Sequence, residues 1–127
     1  YELGLSQEVT FGGRTDNTSY YYLNSDIFVL TSLYEGFGLV LVEAMNFDIP
    51  IICSNFDAAF EVLGEDYLGL FQIGDSKELS SKLSWALSNR ELLINQMRKR
   101  RHIFESESMA LQINTIYENT INESKMR

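Results

Sequence analysis

The amino-acid sequence predicts an α/β domain, a mostly parallel sheet with helices on both faces. Short apolar runs alternate along the chain with longer segments of helical character. The 127 residues are 45% hydrophobic, enough to bury a real core. A single proline, eight glycines and no repeat or low-complexity tract argue against disorder. Strand–helix alternation of this kind belongs to parallel sheets with crossover helices.

Four segments read as strands: "EVTF" (8–11), "DIFVLTS" (26–32), "IPIICS" (49–54) and "LGLFQI" (68–73). Between the first two, "TDNTSYYYLN" (15–24) suits a helix with Thr15 or Asp16 near its cap. The segment "GLVLVEAMN" (38–46) is rich in β-branched residues, which favour a strand. A parallel sheet needs a crossover at that point, so the segment is expected to be a buried helix starting near Gly38. "FDAAFEVLG" (56–64) gives one or two helical turns ending at Gly64. Asp75 is the expected N-cap of the next helix, where Leu79, Leu83, Ala86 and Leu87 fall on one face. Met109, Ile113, Ile116, Tyr117 and Ile121 repeat the helical spacing. The reading is one domain over 1–127, with its sheet in 8–73 and its C-terminal helices in 76–121.

A formal net charge of −8 argues against nucleic acid as a partner, since neutralising phosphates needs a basic face. A small anion is still compatible, because helix N-termini and backbone amides hold one locally. Cys53 is the only cysteine, lies in "PIICS", and has no disulfide partner, which fits a buried thiol and a reducing compartment. No apolar run nears the ~18 residues that span a bilayer, and no secretory signal opens the chain. Tyr1 rather than Met stands first, and the chain is expected to be a fragment of a longer product.

The chemistry concentrates in "YEGFGLVLVEAM" (34–45). Ligands of open parallel sheets bind beyond the carboxyl ends of the strands, at the first turns of the helices. Here Gly36 and Gly38 let the backbone approach a ligand, and the amides at 36–39 face an anion with the helix dipole behind them. Glu35 stands beside that site, and Glu43 lies more than a turn into the helix, where a carboxylate can accept two hydrogen bonds from a vicinal diol. Glu43 sits among Leu39–Val42, Ala44 and Met45, where burial without a partner is costly. A phosphate flanked by two sets of hydroxyls describes a nucleotide sugar.

Several blocks in register, "VTFGG" (9–13), "YYYLNSDIFVLTSLYEGFGLVLVEAM" (20–45), "PIICS" (50–54), Glu61 and "GDSKELSSKL" (74–83), resemble the glycosyl transferases group 1 family. The likeness covers residues 3–90 and is to the C-terminal, donor-binding domain of a retaining glycosyltransferase of the GT-B fold, which is Rossmann-like. Two glutamates separated by seven residues mark that family, as Glu35 and Glu43 are here. The resemblance implies that Glu35, the catalytic candidate, meets the donor-sugar hydroxyls. It assigns Gly36, Phe37, Gly38 and Leu39 to backbone contacts with sugar and diphosphate, Glu43 to the ribose hydroxyls, and Glu61 to the neighbourhood of the donor. It also implies no cofactor and no metal, the helix dipole and basic side chains stabilising the leaving diphosphate. Asp57 and Ala58 stand where the family usually has a Gly pair, and Asp48 where it commonly has Gly; Asp tolerates a left-handed backbone at a modest penalty. Family members supply an Arg and a Lys from upstream of this segment and bind the acceptor on an N-terminal domain that contributes a histidine. His102, the only histidine, lies in "RKRRH" and does not match it, so the chain alone is expected to be inactive.

The resemblance therefore points to the donor half of a hexosyltransferase of polysaccharide (capsule included), lipopolysaccharide or glycolipid assembly. It would be cytoplasmic and work at the inner face of the membrane, with a glycan or lipid-linked acceptor. The alternative is a non-catalytic Rossmann-like binding or interaction module. The basic run "MRKRRH" (97–102) reads either as a weak membrane-surface contact or as a solvated helix face, and the flanking Glu91, Glu105 and Glu107 favour the second. Arg14, just after a strand end, reads as a surface residue rather than a ligand of the donor. An open sheet edge would invite self-association.

Overall fold

The computed structural model describes residues 3–105. Within them the order is α1 (Thr18–Leu23), β1 (Phe28–Leu30), α2 (Leu39–Asn46), β2 (Ile51–Ser54), α3 (Asp57–Leu63), β3 (Leu70–Phe71), α4 (Ser76–Ser88) and α5 (Arg90–Arg101), closed by a 3-10 turn (His102–Phe104). The strands form a parallel sheet in the order β1-β2-β3, with Val29 opposite Ile52 and Cys53 opposite Leu70. Each strand is followed by a helix, so the expected parallel sheet flanked by helices is what forms.

β2 is the centre of the core. All four of its residues are buried, as a strand covered on both faces requires. Around it pack Leu41 and Met45 of α2, Val62 and Leu63 of α3, Ala86 of α4, and Leu93 and Met97 of α5. Gly69, just before β3, lets the chain pass against β2; a Cβ there would collide with the Ile51 carbonyl and the Tyr67 ring.

Local signals set the helix ends. Gly38, at φ 75°, is the left-handed residue that turns the chain into α2. Gly64 closes α3 at φ 95°. Asp75 caps α4, its carboxylate accepting from the amides of Lys77 (3.0 Å) and Glu78 (2.9 Å). Asn89 separates α4 from α5 and donates its side-chain amide to the Trp85 carbonyl (2.9 Å).

Five sequence expectations need correction or lie elsewhere. Residues 8–11 form no strand: no ladder partner faces them among the described residues, and Phe11 is 93% exposed. A β-rich run becomes a strand only when a neighbour takes its backbone groups. The cap of α1 is Asn17, not Thr15 or Asp16; its side chain accepts from the Tyr20 amide (3.3 Å), while Thr15 accepts from Asn17 (3.0 Å). The helix at 39–46 is buried on one face only: Leu41, Ala44 and Met45 are inside, whereas Leu39, Val40 and Glu43 are exposed. Leu87 is 57% exposed, because α4 turns Leu79, Leu83 and Ala86 inward and leaves position 87 beyond that stripe. The helix expected around 109–121 lies outside the described residues. Among the described residues no helix is long and apolar enough to cross a membrane.

Candidate functional site

The site is built at the carboxyl ends of β1 and β2. Ser54 ends β2 with only 1% of its surface exposed. Its hydroxyl donates to the Ser32 carbonyl at 2.6 Å, with the Leu30 carbonyl further off at 3.3 Å. Ser32 in turn donates its hydroxyl to Glu35 Oε1 at 2.7 Å. A chain of two hydroxyls thus ties the end of the buried strand to the loop that carries Glu35, which is half-buried. The hydrogen bond to a carboxylate is charge-assisted and correspondingly strong.

Glu35 also reaches the interior by its field. The Cys53 thiol is pushed up to about 12, by burial first and by the charge of Glu35 second. Cys53 is free and buried, and at neutral pH it stays a thiol, which fits an unreactive core residue.

After Glu35 the chain passes Gly36, Phe37 and Gly38 into α2. Only Gly38 has a positive φ; Gly36 needs no left-handed backbone, and its contribution is open space, since a Cβ there would meet nothing within 4 Å. α2 starts without a side-chain cap and with no acidic residue in its first turn. Among the described residues no acceptor takes the amides of Gly36, Phe37, Gly38 or Leu39. A helix end with free amides and no cap is electropositive and suited to an anion. The side chains around it are apolar and open: Tyr34 is 79% exposed, Leu39 66% and Phe37 40%, the last meeting Phe104 edge-on at 6.1 Å.

Glu43 lies four residues into α2 beyond Leu39, on the exposed face. The burial cost anticipated from its apolar neighbours does not arise, because the helix turns this position to solvent. Its Oε2 accepts a hydrogen bond from the hydroxyl of Tyr22 at 3.1 Å. Tyr22 is buried, and burial first, then the hydrogen bond and charge of Glu43, push its phenol up to about 12. Glu61 is remote from this arrangement in its bonding: its side chain is exposed on α3, and its carbonyl accepts from Arg100 (2.7 Å). Arg14 is exposed.

Ser32, Ser54 and Tyr22 were not singled out by the sequence as partners of the two acids. A serine ending an apolar strand was the available signal for Ser54, whereas nothing distinguishes Tyr22 within "YYY" before the fold is known. A cleft of about 310 Å³ is lined by Gly12, Gly13, Tyr21, Ile27 and Val29 among others; it shares Tyr22 with the Glu43 arrangement, and none of its lining residues is a carboxylate.

The basic run also acquires partners. Arg98 (2.9 Å) and Arg101 (3.2 Å) both pair with Asp48, and Arg100 donates to the carbonyls of Val62 (3.1 Å) and Glu61 at the end of α3. These guanidiniums clasp α2 and α3 to α5, where cations also suit the helix C-terminus.

The family described as Glycosyl transferases group 1 matches the chain over residues 1–104. An N-acetyl-alpha-D-glucosaminyl L-malate synthase of Bacillus anthracis is 31% identical over 128 residues, spanning 97% of this chain and 34% of that protein. An O-antigen biosynthesis glycosyltransferase, WclY, of Escherichia coli is 29% identical over 118 residues, spanning 93% of this chain and 32% of that protein. Among solved structures, a sucrose-phosphate synthase of Thermosynechococcus elongatus superposes with a TM-score of 0.77 at 30% identity, covering 96% of this chain and 32% of the other. The chain thus spans about a third of the length of the relatives it matches.

Proposed function

Because the chain belongs to the glycosyl transferases group 1 family, we propose that it is the donor-binding portion of a retaining hexosyltransferase acting on a nucleoside-diphosphate sugar. One observation carries the reading: the uncapped amide end of α2 follows Glu35, which the Ser32 hydroxyl of the same loop holds, and precedes Glu43, which the Tyr22 hydroxyl of α1 holds. In this reading the diphosphate sits on the amides of residues 36–39, Glu35 accepts hydrogen bonds from the sugar hydroxyls, and Glu43 accepts them from the ribose. The charge of the leaving diphosphate falls to the helix end and to basic side chains rather than to a metal ion. Glu61 keeps its assignment near the donor only through the family resemblance.

The relatives support a donor role in a second way. Their printed names describe an L-malate conjugate, O-antigen and sucrose phosphate, three different products, yet all share this third of their length. A portion common to such different products fits donor binding, with the acceptor (a glycan or a lipid-linked sugar) recognised elsewhere in the protein. Polysaccharide, lipopolysaccharide or glycolipid assembly in the cytoplasm, at the inner membrane face, is the setting proposed. The outer edge of β1 is proposed as a surface through which the isolated chain self-associates, since an unpaired edge invites strand addition.

Calorimetric titration of the chain with UDP- and GDP-sugars tests the proposal. One nucleotide class is expected to bind, and Glu43→Ala is expected to lower its affinity by about tenfold or more, the scale of a lost charge-assisted hydrogen bond. Absence of binding by every donor, to this chain and to any longer parent protein alike, would instead identify a non-catalytic interaction module.

A further inference from the structure

The Tyr22–Glu43 bond joins residues 21 apart in sequence and has a geometry beyond simple packing. The Tyr22 ring is stacked on Phe47 at 5.1 Å with an interplanar angle of 15°, and Phe28 meets it at 5.6 Å, tilted by 50°. Held by both rings, the phenol directs its hydroxyl only toward α2, where Glu43 Oε2 is 3.1 Å away and the Val40 carbonyl 3.4 Å. The hydroxyl has one proton; the closer, charged acceptor takes it. Glu43 itself is exposed, and an exposed glutamate otherwise samples several rotamers.

We propose that Tyr22 is a positioning residue, whose hydroxyl fixes the Glu43 carboxylate in the orientation that receives a nucleotide's ribose diol. The inference rests on the donor-site reading above. One of about four lone-pair sites on the carboxylate goes to Tyr22, leaving the others for the two ribose hydroxyls. The raised phenol pKa keeps this donor protonated throughout the neutral range. Pre-orientation of this kind improves affinity without adding a contact to the ligand.

The test compares UDP and GDP with their 2′,3′-dideoxy analogues by calorimetry on the chain and its variants. The wild type is expected to prefer the ribonucleotide. Tyr22→Phe keeps the ring and its stacking, and its melting temperature checks that the fold persists. It is expected to reduce ribonucleotide affinity roughly 5- to 20-fold, as misplacement of a ligating group does, and to leave the dideoxy affinity unchanged. In a Glu43→Ala background, Tyr22→Phe is expected to have no further effect on the ribose preference. Equal losses on both nucleotides, or a ribose preference undiminished in Tyr22→Phe, would overturn the positioning role while leaving Glu43 as the ribose ligand. A wild type that binds ribo- and dideoxynucleotides equally would overturn the assignment of Glu43 itself.

Discussion

Tyr67 and Ile51 are joined by a reciprocal pair of hydrogen bonds at the head of the central strand. The phenol donates to the Ile51 carbonyl at 2.9 Å and accepts from the Ile51 amide at 3.2 Å. Both residues are buried, and burial holds the phenol above its usual range, so it remains a donor. A side chain here supplies the two backbone partners that a third strand would otherwise provide, since β3 begins only at Leu70.

Tyr67→Phe leaves both Ile51 groups buried without a partner. It is expected to lower stability by about 1–3 kcal/mol with the fold intact. Denaturant unfolding gives the magnitude, and faster exchange of the Ile51 amide than of the other β2 amides locates the loss. Unchanged exchange at Ile51 would mean that the phenol is not its partner.

Gly69→Ala is expected to be worse, because the new methyl meets backbone at Ile51 and the Tyr67 ring, neither of which can move without opening the core. A cost of about 3 kcal/mol or more is expected, at the upper end of overpacking effects. A variant as stable as wild type in urea would show that β3 does not approach β2 this closely.

Asp48 combines a left-handed backbone (φ 51°) with ion pairs to Arg98 and Arg101. Asp48→Ala removes the pairs and keeps the strained backbone, whereas Asp48→Gly removes both. Glycine is therefore expected to be the more stable of the two by about 1 kcal/mol, strain relief exceeding its greater freedom when unfolded.

The same aspartate gives a pH dependence. The hydrogen bond from Arg98, followed by the charges of Arg98 and Arg101, lowers its pKa below the usual 3.8 despite some desolvation. A depressed folded-state pKa means the pairing contributes fully above 3.8 and is lost as pH falls below that value through the folded pKa. The stability difference between wild type and Asp48→Gly should accordingly shift against the wild type on going from pH 6 to pH 2.5. Thermal melts at several pH values check this, and a pH-independent difference would rule out the charged pairing.

Arg98, Arg100 and Arg101 are each engaged with Asp48 or with α3 carbonyls, leaving Lys99 and His102 as the basic members of the run without a side-chain hydrogen-bond partner among the described residues. Sedimentation with vesicles of 30% phosphatidylserine is expected to show no binding of the chain, since attraction needs several free cations at roughly 1 kcal/mol each. Binding abolished by Lys99→Ala together with Arg98→Ala would restore the membrane role of this segment.

Much of the fold was readable in the chain because its signals act within a few residues. Asp75 caps α4 through amides two and three positions away, Gly64 ends α3, and Gly38 opens α2. The choice of helix over strand for residues 39–46 followed from the need for a crossover, although the local composition favoured a strand. Residues 8–11 failed the same kind of reading, because strand formation depends on a partner that lies elsewhere.

By itself the sequence determined the alternation of strands and helices from residue 26 to the start of α4, the helix that follows Gly38, and the family to which the chain belongs. Only the tertiary structure decided that Glu43 faces solvent under Tyr22, that Ser54 supports the Glu35 loop through Ser32, and that the arginines bind the protein's own carbonyls and Asp48. The reason is distance along the chain. Caps and turns are satisfied by neighbours and so are written locally, whereas these partners are 21, 22, 38 and 50 residues apart and meet only once the sheet has brought them together.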